Sequence, residues 1–227
     1  TMPLYDTESV FGTAQKSRIH ALVTGIFQGA LGRLPGVDEA DNWARRMDAG
    51  TLTSEALTKA IHQSPEYLTK AVRSLYTQHL KRDADDIGLR GFLAYLRQGG
   101  SLAKVSAAIL GSPEYRAGFT DDRSWVRGVY RSILGRDADP SGMANWIKKL
   151  AAGTRHAEVA LAIVQSAEAT ANAIDAVYSL YFGRHADDEG KSAWTAVAQK
   201  NGLVFALSQI LSSEESRSLA AKAVLPG

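Results

Sequence analysis

The side chains that could do chemistry in this chain are few and scattered. Its five histidines, His20, His62, His79, His156 and His185, show no metal spacing of the H-E-x-x-H kind. No strained nucleophile turn, no glycine loop built to cradle phosphate and no nominable triad is present. Cysteine is absent, which removes disulfides, thiolate catalysis and cysteine metal sites together. Asp137-Ala138-Asp139-Pro140-Ser141-Gly142 imitates the first half of a calcium loop, with oxygens at positions 1, 3 and 5 and glycine at 6. A complete loop needs a bidentate glutamate at position 12, where Lys148 stands. Capping of a helix by Asp139 explains the motif, and explains Asp85 and Asp187 at the matching positions equally well. No metal and no cofactor is expected.

Four arginines recur with four glutamates. Arg33, Arg82, Arg136 and Arg184 stand 31 to 33 residues before Glu66, Glu114, Glu168 and Glu215. They could form an anion-binding row, or each could be a strut inside its own repeat, using the two-pronged guanidinium on a carboxylate. Recurrence in every copy favours struts, with Arg136 expected to be largely buried against Glu168. Trp43, Trp146 and Trp194 fall in the middle of an apolar helical stripe and are expected in the core. Aromatics that break the repeat are better ligand candidates. Tyr95 replaces Arg46, Lys149 and Val197 at a position facing away from the core, and Trp125 follows an interruption in the pattern. An exposed aromatic beside a base suits stacking on a sugar ring and pairing with an acidic one. The candidate ligand-binding set is therefore Tyr95, Trp125, Arg46 and Lys149.

The elements that position these residues come from repetition. Ile26 to Arg33, Leu75 to Arg82, Val129 to Arg136 and Val177 to Arg184 are copies of one segment, their arginines 49, 54 and 48 residues apart. Ten residues after each arginine comes a large aromatic (Trp43, Phe92, Trp146, Trp194), and each copy closes near a Ser-x-Glu. A period of about fifty residues signals stacked supersecondary units that complete one another's core. Each unit reads as three helices. Helix A carries an apolar stripe at the helical period, as in Ile19, Leu22, Val23, Ile26, Phe27, Ala30 and Leu31. It ends at Gly32, Gly135 and Gly183, while Lys81 in the second copy predicts a less regular end. Helix B begins at Asp139-Pro140 and its equivalents, with Gly36 in the aspartate's place in the first copy. It ends at Gly50, Gly99, Gly153 and Asn201. Gly88, Gly142 and Gly190 inside its first turn predict close approach of another helix. Helix C is short, and Ser-Pro-Glu then starts the next helix A. Gly118 to Asp122 interrupts the helix after the second copy, which predicts two half-domains, 1–118 and 119–227. No period-two strand pattern survives, so the fold class is all-α: about four three-helix repeats packed as a bundle or short solenoid.

Composition is ordinary for a soluble globular chain, with 45% hydrophobic and 22% charged residues. A formal net charge of +2 is too small to argue for nucleic acid. No apolar run reaches the roughly 20 residues of a membrane span. Thr1 ahead of Met2 points to a piece of a longer protein.

Taken together, these motifs resemble a bacterial domain-of-unknown-function family, numbered four-two-one-four. Its repeats read Tyr-x-x-x-Leu-Gly-Arg-x-x-Asp-x-x-Gly, an aromatic, a glycine and Ser-x-Glu-Tyr. The third copy matches from Tyr130 to Ser166, with Ala169 where tyrosine is usual; the second lacks the glycine before Arg82, the first lacks the connector aspartate, and the fourth lacks the final tyrosine. A more distant similarity is to the phycobilisome rod-linker domain. The resemblance implies a secreted or cell-surface location, binding or assembly, and no catalytic residues. The expected function is a non-enzymatic module engaging extracellular polysaccharide or another surface component, with no nucleic acid and no membrane insertion. Two alternatives remain: a structural linker with no glycan, and an accessory domain of a polysaccharide-acting enzyme.

Overall fold

The computed structural model describes residues 7–213, with side chains for Lys16 and from Arg18 onward. Among these the chain is helical and contains no strand. In order the helices are α1 (Thr7–Leu31), α2 (Val37–Asp48), α3 (Ser54–His62), α4 (Pro65–Leu80), α5 (Asp86–Arg97), α6 (Leu102–Leu110), α7 (Pro113–Arg116), α8 (Asp122–Leu134), α9 (Pro140–Ala151), α10 (His156–Val164), α11 (Ala167–Phe182), α12 (Asp188–Asn201) and α13 (Leu203–Leu211). Helix A of the four repeats is α1, α4, α8 and α11; helix B is α2, α5, α9 and α12; helix C is α3, α6, α10 and α13. The extra short helix, α7, is where repeat 3 departs: its helix A breaks after Arg116 and restarts at Asp122.

Local chemistry sets these boundaries. Asp85, Asp139 and Asp187 each accept the backbone N–H three residues on, from Gly88, Gly142 and Gly190, satisfying a donor that the helix start would leave orphaned. Helix A ends on a left-handed residue in every repeat: Gly32 (φ 65°), Gly135 (φ 67°), Gly183 (φ 65°) and, in repeat 2, Lys81 (φ 58°). The irregular end expected at Lys81 is therefore not found. Lysine adopts the glycine geometry and its Nζ donates to the Gln78 carbonyl 2.7 Å away, which offsets part of the strain.

The glycines of the helix B first turn are explained by one neighbour. A Cβ on Gly88 would lie 2.2 Å from the Tyr76 hydroxyl, and one on Gly142 would lie 3.2 Å from that of Tyr130. The close approach predicted at these glycines is thus made by a helix A tyrosine. Each core is built repeat by repeat: Val72, Leu93, Val105 and Ile109 in repeat 2; Val126, Val129, Met143 and Ile163 in repeat 3, joined there by Leu110 of repeat 2; Ile174, Ala198 and Ile210 in repeat 4.

The described residues divide into two compact units, one of those up to Ser64 together with those from Ile174 onward, the other Pro65–Ala173. The boundary expected at 118/119 falls inside the second unit. The reason is that α6 and α10, on either side of it, pack against each other. The interruption itself is held down: Phe119 packs on the repeat 3 core and on Gly128, and its ring lies tilted 5.1 Å from that of Tyr115. In the first unit α3 packs against α13, so the first and last repeats complete each other.

Candidate binding surface

The repeated arginines belong to one recurring construction. Arg136 Nε and Nη2 each donate to Glu168 at 2.7 Å, and Nη1 donates to the Asp137 carbonyl. Its guanidinium lies 5.5 Å above the Tyr130 ring, whose hydroxyl accepts from Trp146 Nε1 at 2.8 Å. Arg82 repeats the arrangement with Glu114, the Asp83 carbonyl and the Tyr76 ring. Arg184 lies over Tyr178, whose hydroxyl accepts from Trp194 Nε1. Its expected partner Glu215 lies outside the described residues. Hydrogen bonding from Arg136 holds the Glu168 carboxyl below the usual carboxylate range, and Arg82 does the same to Glu114. The struts expected from sequence exist as pairs, but the expected burial does not: the Arg136 side chain is 44% exposed. Guanidinium and carboxylate bridge the outer ends of two helices, where water reaches both.

Repeat 1 caps its helix B with other residues. Phe27 replaces the tyrosine, so no hydroxyl crowds the first turn of helix B, and Glu39 occupies the position that is glycine elsewhere. Glu39 accepts from Arg33 at 2.9 and 3.1 Å and from the Gly36 backbone N–H at 3.0 Å. One side chain thus caps the start of α2 and holds the arginine. Glu66, expected as the partner of Arg33, stands in the first turn of α4. Three linked departures in repeat 1 (Phe for Tyr, Glu for Gly, Gly for Asp) were the sequence signal for this.

The four ligand candidates separate. Trp125 is 1% exposed, packed in the repeat 3 core with its Nε1 donating to the Leu110 carbonyl at 2.9 Å. It is a core residue that closes the end of α6, and the expectation of an exposed platform is overturned. Tyr95 is 37% exposed, but its ring lies on Gly100 and its hydroxyl accepts from Ser101 N–H, so one face is already covered. Arg46 and Lys149 are exposed, each over the half-buried indole three residues earlier: Arg46 4.9 Å from the Trp43 centroid, Lys149 Nζ 5.0 Å from that of Trp146. Each candidate therefore contacts its own repeat. In the connector that resembles half a calcium loop, Asp137 accepts from Arg131 and Asp139 from Gly142 and Ser141. Among the described residues no group of three metal-ligating side chains comes together, and no helix is long and apolar enough to cross a membrane.

Sequence reasoning passed over two further features. A groove of about 600 Å³ between α1 and α2 is lined by His20, Asp38, Asp41, Asn42, Arg45 and Asp48 among others. In the second unit the buried His79 lies between two hydroxyls, Ser132 Oγ at 2.9 Å and Ser106 Oγ at 3.1 Å. Burial, helped by Lys81, pushes His79 down to about 4, so the ring is neutral and both nitrogens have partners.

Residues 107–173 match the family model described as Domain of unknown function (DUF4214). That segment holds the whole of α7 to α10 and the complete Arg136–Glu168 strut. No curated protein and no solved structure matches the chain.

Proposed function

We propose that this chain is a non-catalytic binding module of a secreted or cell-surface protein, and that its ligand is an acidic extracellular polysaccharide held on the outward faces of the B helices. One recurrence carries the reading: in both units a cation at the same helix B position covers a half-buried tryptophan, Arg46 over Trp43 and Lys149 over Trp146. An acidic sugar brings a C–H face for the indole and a carboxylate for the cation, so each pair offers what one ring needs. Tyr95, at the same position of repeat 2, adds an exposed ring edge. Arg33, Arg82 and Arg136 contribute nothing to this surface, because their forks are engaged within the fold.

The test is retention on a panel of immobilised polysaccharides, acidic and neutral, followed by titration of the best one. Arg46→Ala and Lys149→Ala should each raise the Kd about 3–10-fold, with helical circular dichroism unchanged. No retention on any polysaccharide, or a double variant that binds like the wild type, would overturn the proposal and favour a purely structural linker.

A further inference from the structure

Helix A of repeat 3 differs from its counterparts on the side turned to solvent. Arg123, Arg127 and Arg131 stand thirteen, nine and five residues before the repeat arginine. At the same positions repeat 2 has Thr69, Arg73 and Thr77, and repeats 1 and 4 have neither lysine nor arginine at any of the three. Steps of four residues line up on one helix face. On α8 all three arginines are exposed, while Trp125, Val126, Val129 and Tyr130 turn the other side into the core. The result is a ladder of guanidinium groups spaced about 6 Å apart along the helix axis.

The ladder works against its own helix, because like charges four residues apart repel. The carboxylates at the two ends of α8 do little to relieve this. Asp121 accepts the Ser124 N–H, and Asp122 lies 2.7 Å from His156 Nε2. Among the described residues Arg123 and Arg127 make no hydrogen bond or ion pair, and they act on Asp121 through charge alone. One rung is filled. Asp137 accepts from both Nε and Nη2 of Arg131, so a carboxylate sits across the guanidinium fork. That rung shows the group the ladder takes, and the two rungs beyond it are open to solvent. A linear chain carrying a carboxylate on successive units could occupy both at once, whereas a single small anion would reach one.

We propose that the outer face of α8 is a second binding surface, a rail on which a polyuronate seats its carboxylates on Arg123 and Arg127 as Asp137 seats on Arg131. The ladder takes its ligand class from the acidic-polysaccharide reading and rests on it, but the site is separate from the tryptophan–cation pairs of the B helices. The planar fork of arginine matches a carboxylate in two places, which fixes direction as well as charge. Repeat 3 alone carries the rail, so the polymer is gripped by one repeat and not equally by all four.

The test is titration of the full chain with polygalacturonate, with polyphosphate and neutral dextran alongside, at about 50 and 300 mM sodium chloride. Wild type should prefer polygalacturonate and lose about 10-fold or more in affinity at the higher salt. Arg127→Gln should raise the Kd about 3–10-fold, and Arg123→Gln with Arg127→Gln further still, with a flatter salt dependence and unchanged helical circular dichroism. The matched control is Arg73→Gln, the same repeat position in α4, where a single arginine lies 3.7 Å from Asp83; it should change the Kd by less than about twofold. An Arg127→Gln effect no larger than that of Arg73→Gln would overturn the rail. So would tighter binding of polyphosphate, or wild-type binding to polygalacturonate that is absent or indifferent to salt, whether or not the variants fold. The double variant Arg46→Ala with Lys149→Ala keeps the two surfaces apart. If it loses binding while the α8 variants keep it, the rail falls and the B-helix surface stands; the reverse result leaves the rail as the binding surface.

Discussion

Repeats 2 and 3 join through α6 and α10, and repeats 4 and 1 through α13 and α3; the two joints use the same positions with different chemistry. In the second unit the residue closing α6, Gly111, sits against the backbone of Ala157 near the start of α10; a Cβ there would lie 2.6 Å from the Ala157 nitrogen. In the first unit the residue closing α13, Ser212, bonds the hydroxyl of Ser54 at the start of α3. A second matched position lies three residues before the repeat arginine. There His79 reaches Ser132 of the next repeat, while Tyr181 reaches Gly29, where a Cβ would lie 2.3 Å from the phenol oxygen. The construction rule is shared, and the side chains at the joint are free to vary as long as size and hydrogen bonding are satisfied together. One joint is held by backbone proximity and a titratable polar cluster, the other by a hydroxyl pair and an aromatic on glycine.

The sharpest test of that contrast is steric. Gly111→Ala places a methyl on the Ala157 backbone, which cannot move aside as a side chain tip would. A loss of about 2–3 kcal/mol in urea unfolding is expected. At the matched position of the first unit, Ser212→Ala removes one partner of a half-buried hydrogen bond and should cost about 1 kcal/mol or less. Equal effects would mean that the two joints are not built on the difference described.

The second test uses pH. An unfolded histidine titrates near 6.5, and burial depresses His79 to about 4 in the folded chain. Between these values the unfolded state binds more protons, so this contribution to stability is complete above about pH 6.5 and is lost as pH falls towards 4. The loss at pH 4 should be on the order of 2–3 kcal/mol. His62, in the first unit, is also lowered by burial, though the Thr58 carbonyl opposes the shift. The wild-type slope therefore contains both histidines, and the difference between wild type and His79→Gln isolates one. His79→Gln should remove most of one proton from the slope between pH 4 and 6.5. An unchanged slope would show that the cluster is not what makes the chain acid-sensitive.

What sequence could show here was local. Asp139 as a cap, Gly142 as a point of close approach and the period of the arginines all depend on residues within one repeat, and each is found in the structure. Burial and pairing across repeats depend on which helix faces meet, and no spacing encodes that. Trp125 breaks the repeat pattern and so looked like a surface platform, yet its indole closes α6, a helix of the preceding repeat. Phe119 sits in a segment with every mark of a linker, but Gly128 opens a place for its ring. The division into units turns on α3 recognising α13, which only the apolar faces of both helices together could reveal. Glu39 is the exception: its signal was in the sequence, as a charged residue standing where three other copies have glycine.

The smallest effect separates the two versions of the arginine strut. Glu168 accepts from Arg136, with both side chains more than two-fifths exposed, so the attraction is screened and the stabilisation modest. Glu39 is similarly exposed, but it holds Arg33 and also satisfies the Gly36 N–H at the start of α2, where glycine offers no side chain to help. Glu39→Ala should therefore lower the Tm by more than Glu168→Ala, each by no more than about 1–4 °C. Added salt should separate the two further: about 1 M sodium chloride should erase most of the Glu168→Ala difference by screening its ion pair. Part of the Glu39→Ala difference should survive, because a hydrogen bond to an orphan backbone donor does not depend on a distant charge. If salt abolished both differences equally, Glu39 would be an ion pair and nothing more, and the account of repeat 1 as one residue doing two jobs would fall.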